Sequence, residues 1–125
     1  MAYKGGNVML LEWKKCFLNV PLNSQGIEEH NSFNEEWNNV FTVELSEKEY
    51  YILSIIFDEW NEKFDIIIDI FEEETLEIAN EEEALEILNK HIYNNSNKEF
   101  VSVANKLKVA LQKAISVQMP LYFDF

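Results

Sequence analysis

The chain has 125 residues, and its 23 acidic side chains outnumber 10 basic ones, all of them lysine, for a formal net charge of −13. Its 47% hydrophobic and 14% aromatic content exceeds what a disordered acidic tail carries, so one globular domain over 1–125 is expected. A surface this acidic repels phosphate backbones, which sets nucleic-acid binding aside.

Glycine occurs at positions 5, 6 and 26 and proline at 21 and 120, so the long interval between favours helices over a turn-rich β fold. Residues 8–11 and 16–20 are short apolar runs that read as strands. A polar loop is expected over 22–39, with a short helix near 33–37. From 40 to 45 the pattern alternates, with Phe41, Val43 and Leu45 on one face and Thr42 and Glu44 on the other, which is the period of a strand.

Three residues with side-chain oxygens, each followed three positions later by Glu, then predict helix starts: Ser46 with Glu49, Asn80 with Glu83, and Ser96 with Glu99. The first helix follows Tyr50, Leu53, Phe57, Trp60, Phe64, Ile67 and Phe71, at spacings of three and four, to about residue 73. The competing reading breaks it near Lys63 and makes the β-branched run 64–70 a strand. The second helix carries Leu85, Leu88 and Ile92 on its apolar side. The third bears an amphipathic stripe of Phe100, Val103, Ala104, Leu107, Ala110, Leu111 and Ala114, and Pro120 stops it. Leu121, Phe123 and Phe125 alternate after it, an apolar terminus expected to join a sheet with the N-terminal strands. An α+β fold is therefore expected, with main helices at roughly 46–73, 81–94 and 97–118 and a small sheet. A mainly α fold is the alternative.

Catalytic chemistry finds few footholds. Neither His30 nor His91 belongs to a His-Glu-x-x-His motif, and the acidic runs lack the alternating ligands and central glycine of an EF-hand. Gly5, Gly6 and Gly26 are wrongly spaced for a phosphate loop, and no Gly-x-Ser-x-Gly accompanies the serines. Cys16, the single cysteine, excludes an internal disulfide and reads as a buried small hydrophobe. The expectation is a non-enzyme with no catalytic residue, no metal site and no cofactor. Without a signal-peptide core or a run of ~20 apolar residues, it is expected in the cytoplasm and not on a membrane.

The charge is unevenly spread. Residues 64–89 contain ten acids and no lysine, whereas 90–125 is net positive. Like charges this dense repel one another, and a helix start explains only Glu81, Glu82 and Glu83. A surface kept acidic for a cationic partner would use Glu72, Glu73, Glu74, Glu77, Glu81, Glu82, Glu83 and Glu86. Trp37, set among Glu35, Glu36, Asn38 and Asn39, is a further candidate, as a loop aromatic that anchors an interface. Trp60, on the helical stripe, belongs to the core.

In its size, its acidity, the glutamate cluster of 72–86 and the helix-then-strand ending from Phe100 to Phe125, the chain resembles the small acidic immunity proteins of bacterial polymorphic-toxin and contact-dependent growth inhibition systems. That resemblance implies one-to-one neutralisation of a cognate toxin, a basic nuclease domain being the partner such acidity suits. A non-enzymatic adaptor domain and a nucleic-acid mimic are the alternatives.

Overall fold

The computed structural model describes residues 14–32 and 36–125. The runs at 16–20 and 40–45 pair as antiparallel strands, β1 (Lys15–Pro21) and β2 (Val40–Ser46), with Leu18 opposite Val43 and Asn19 opposite Thr42. A short β3 (Glu73–Leu76) and the C-terminal β4 (Leu121–Asp124) complete an antiparallel sheet of order β2-β1-β4-β3. The apolar C-terminus thus takes the place expected of it, inside the sheet. Five helices accompany the strands among the described residues: α1 (Ser24–Asn31), α2 (Glu47–Ile52), α3 (Ser54–Phe64), α4 (Ile78–Tyr93) and α5 (Lys98–Val117). The fold is α+β.

The two-residue period divides the sheet into unlike faces. Cys16, Leu18, Val20, Leu45, Leu121 and Phe123 point to one side and are fully buried. Phe57 and Trp60 of α3 pack on Phe123 with ring centroids 5.9 and 6.3 Å away, and all seven residues of the α5 stripe are buried in the same core. Each buried Val, Leu or Phe among them contributes roughly 1.5–3 kcal/mol of burial free energy, and each alanine less. The opposite face carries Phe17, Asn19, Thr42, Tyr122, Asp124 and Glu73 by register, and α1 lies on it through His30, which stacks on Tyr122 at 4.0 Å.

Ser46 begins α2 with both halves of the capping box in place: its hydroxyl accepts from the Glu49 amide, and the Glu49 carboxylate accepts from the Ser46 amide. The same carboxylate takes the Lys106 ammonium at 2.9 Å, which ties α2 to α5. The other two predicted starts are displaced. Asn97, not Ser96, caps α5, and α4 begins earlier than expected, after Glu77 and without a side-chain cap bond, so Asn80 lies inside the helix.

The single helix expected over 46–73 is broken at Leu53 into α2 and α3 and ends at Phe64, and the alternative strand over 64–70 does not form either. Asp65 adopts the left-handed conformation (φ 55°, ψ 49°), which short polar residues tolerate best after glycine. Asn61 then captures the chain. Its amide donates to the Ile68 carbonyl at 3.1 Å and accepts from the Ile68 N–H at 2.7 Å, replacing the helical bonds that would have continued. Ile67 and Phe71, read as core positions, are consequently 66% and 75% exposed. Helix α1 falls where a loop was expected, its start fixed by the Asn23 side chain accepting from the Gly26 amide. Gly26 is required there, because a Cβ would lie 2.1 Å from the Asn39 carbonyl oxygen. The strand expected at 8–11 lies outside the described residues, as does part of the short helix near 33–37, of which Glu36 and Trp37 are not helical.

Candidate functional site

The acidic segment runs through the turn after α3, along β3 and into the first turns of α4. Glu72, Glu73, Glu77, Glu82, Glu83 and Glu86 are exposed there. Glu83 meets Lys63 at 3.1 Å in a solvated pair, a contact that contributes little. Glu72, Glu73, Glu77, Glu82 and Glu86 make no ion pair among the described residues. Glu74 is half-buried and engaged, accepting the Ile67 N–H at 2.7 Å and the Thr75 N–H at 2.8 Å. Ile67 and Phe71 stand in water beside these carboxylates, and the Lys14 ammonium lies 5.2 Å from the Phe71 ring centre.

Glu81 departs from the expected open carboxylate surface. It occupies the inward line of α4 with Ala84 and Leu88, spaced by three and four, and is 1% exposed. Neither carboxylate oxygen has a hydrogen-bond partner among the described residues. Burial, and secondarily the charge of Glu77, push its carboxyl up to about 8, so it keeps its proton at neutral pH. With Ile78, Ala79, Glu82, Ile115 and Gln118 it lines a cleft of about 600 Å³ between the start of α4 and the end of α5, its carboxyl oxygens lying beneath the surface.

Trp37 and Glu73 are brought together in a second cleft. They line a cleft of about 680 Å³ on the open face of the sheet, with Phe17, His30 and Asp124. Here polar groups are interlocked. Asp124 Oδ2 accepts from the Asn19 amide and pairs with His30 Nε2 at 2.7 Å, while Asn19 Oδ1 accepts from the Thr42 hydroxyl at 2.6 Å. Asn19 is 2% exposed and fully partnered through this chain of bonds. The hydrogen bond to Asp124 raises the His30 imidazole above its ordinary range, against the opposing effect of burial and with help from the Asp124 and Glu73 charges. Trp37, at 37% exposure, sits 5.5 Å from the His30 ring.

The eight glutamates and Trp37 therefore form three sets. Glu77, Glu82, Glu83 and Glu86 line α4 with Glu72 before β3, Glu73 joins Trp37 in the sheet cleft, and Glu74 and Glu81 turn inward. The His30–Asp124–Asn19 constellation had no sequence signal, since its members are 94 and 105 positions apart. Glu81 did have one, an acid on the spacing of buried Ala84 and Leu88. Among the described residues no group of three or more His, Cys, Asp or Glu is arranged to hold a metal ion, and no helix is long and apolar enough to cross a membrane. Cys16 is buried, and that burial pushes its thiol up, away from the reactive thiolate. No protein-family model matches the chain, nor does any curated protein or solved structure.

Proposed function

We propose that this protein is a cytoplasmic immunity protein that binds a basic bacterial toxin, a nuclease domain by charge, and neutralises it through its acidic surface. The observation that supports this most is the set Glu72, Glu73, Glu77, Glu82 and Glu86, open to solvent and free of ion pairs among the described residues, in a segment with no lysine. Carboxylates left uncompensated repel one another in the free protein, and a cationic partner relieves that repulsion. They also steer encounter, so association is fast at low salt and slows as salt rises. Ile67 and Phe71, exposed within the same segment, supply the apolar anchors that charge alone lacks.

The test uses the product of the reading frame beside the gene, which this reading expects to be a basic toxin domain. Co-production of this protein should restore growth of cells making that domain. Reversal of Glu72, Glu73, Glu83 and Glu86 to lysine should lower the association rate at least about tenfold and flatten its salt dependence, with the far-UV circular dichroism unchanged. Unaltered association after reversal removes the acidic surface from the interface, and absence of rescue removes the immunity reading.

A further inference from the structure

The cleft between the start of α4 and the end of α5 combines three properties. Glu81, 1% exposed, is one of its lining residues, with both oxygens recessed beneath the surface and unpartnered among the described residues. Its walls, Ile78, Ala79 and Ile115, are apolar, and Ile78 leaves 48% of its surface in water. Its far end is the C-terminus of α5, where Gln118 turns left-handed and the helix presents its negative pole. An anion is disfavoured beside Glu81 and at the α5 end, whereas the first-turn amides of α4 disfavour a cation, so a positive head group belongs at the α5 end of the cleft. A neutral apolar molecule covers the walls and leaves the carboxyl as it is. A cation on a slim apolar stem satisfies all three at once.

We propose that this cleft binds a primary ammonium group carried on an unbranched alkyl stem, the chemistry shared by a lysine side chain and a free aliphatic diamine. The stem covers Ile78 and Ile115. The head group donates to Glu81 once a side-chain rotation, common on binding, turns the carboxylate toward it. A compact ammonium suits one recessed carboxylate better than the flat fork of a guanidinium, which needs coplanar bidentate access. The titratable groups nearby are Glu77 and Glu82 on the same helix and, on β4, Tyr122, whose phenol is raised by burial and by the Glu77 charge; α5 contributes Ile115 and Gln118, which do not titrate. Binding converts the Glu81 carboxylic acid to a carboxylate paired with the ammonium, and the released proton passes to solvent. Affinity therefore rises about tenfold per pH unit until Glu81 ionises unaided, near pH 8. The inference deepens the cationic-partner reading, on which it rests, but does not require a toxin for its test.

n-Butylammonium is titrated into the full chain while the amides of 78–82 and 115–118 and the Glu81 carboxyl carbon are followed by NMR. Saturable shifts are expected, with the Glu81 titration lowered by about one unit or more, and n-butanol should produce neither. Glu81→Leu should remain folded, melt at a higher temperature and lose the response; Glu81→Gln repeats the test if the leucine variant misfolds. Absence of saturable shifts, an unmoved Glu81 titration, or the same shifts in both variants overturns the proposal. Tighter binding of acetyl-lysine methylamide than of cadaverine assigns the site to a polypeptide lysine, and the reverse order assigns it to a free diamine. Because Glu72, Glu73, Glu83 and Glu86 do not line this cleft, failure of the charge-reversal test and failure of this one are separable.

Discussion

Asp124, on the open face of the sheet, and Glu81, at the head of α4, are both carboxyl groups drawn largely out of water. Asp124 is held by the Asn19 amide and the His30 imidazole, with Thr42 completing the chain of bonds. Glu81 has no hydrogen-bond partner among the described residues. A buried polar group that is fully satisfied fixes its surroundings, and one that is not raises the energy of the folded state. The contrast assigns the Asp124 network to holding α1 on the sheet, and leaves Glu81 without a structural partner among the described residues.

The sharpest way to break that contrast is to remove Asp124. Asp124→Ala strands the buried Asn19 amide and the His30 ring, and it should lower stability by about 2–4 kcal/mol in urea unfolding. A loss near zero would mean that the network is ornamental. Glu81→Leu should act in the opposite direction, raising stability by roughly 1–3 kcal/mol at pH 7 because an unsatisfied buried carboxyl is exchanged for apolar packing. Destabilisation would show that Glu81 serves the fold.

The pH dependence separates the two groups next. The folded Glu81 carboxyl titrates near 8, above the ordinary 4.5, so the folded state holds a proton that the unfolded chain loses between those values, and stability falls as pH rises across that window. The His30 imidazole is also raised, so its pairing contributes fully below about 6.5 and is lost as pH rises through its folded value. Melting curves from pH 4 to 9 should therefore decline toward alkaline pH. Glu81→Leu should flatten most of that slope, leaving the smaller part that His30→Gln removes. The mildest comparison is Lys63→Ala, which frees the exposed Glu83 and should change stability by less than about 0.5 kcal/mol. That would confirm that burial, not charge, distinguishes the carboxylates.

Some of this architecture could be read in the residues. The alternation of Phe41, Val43 and Leu45, the α5 stripe and the capping pair Ser46–Glu49 are local signals, and each produced its element. The region after Phe64 defeated the periodicity because two polar side chains overrode it: Asp65 took the left-handed turn and Asn61 replaced the helical bonds of Ile68. Helix α1 was hidden by its polar sequence, although the Asn23 side chain that caps it was visible. Of the candidate site, the exposed glutamates were legible as charge density. The inward turn of Glu81 was marked only by its spacing to Ala84 and Leu88, which its charge obscured, and the Asp124 network depends on the order in which strands pair.

The hold that Glu74 keeps on the Thr75 amide bears on how these molecules meet one another. β3 is a rim strand of the sheet, and a bare rim invites a second chain to continue the ladder. With that donor already occupied and carboxylates flanking it, a neighbouring copy finds neither a free amide there nor an electrostatic welcome. At high concentration β3 should recruit no strand from a second copy.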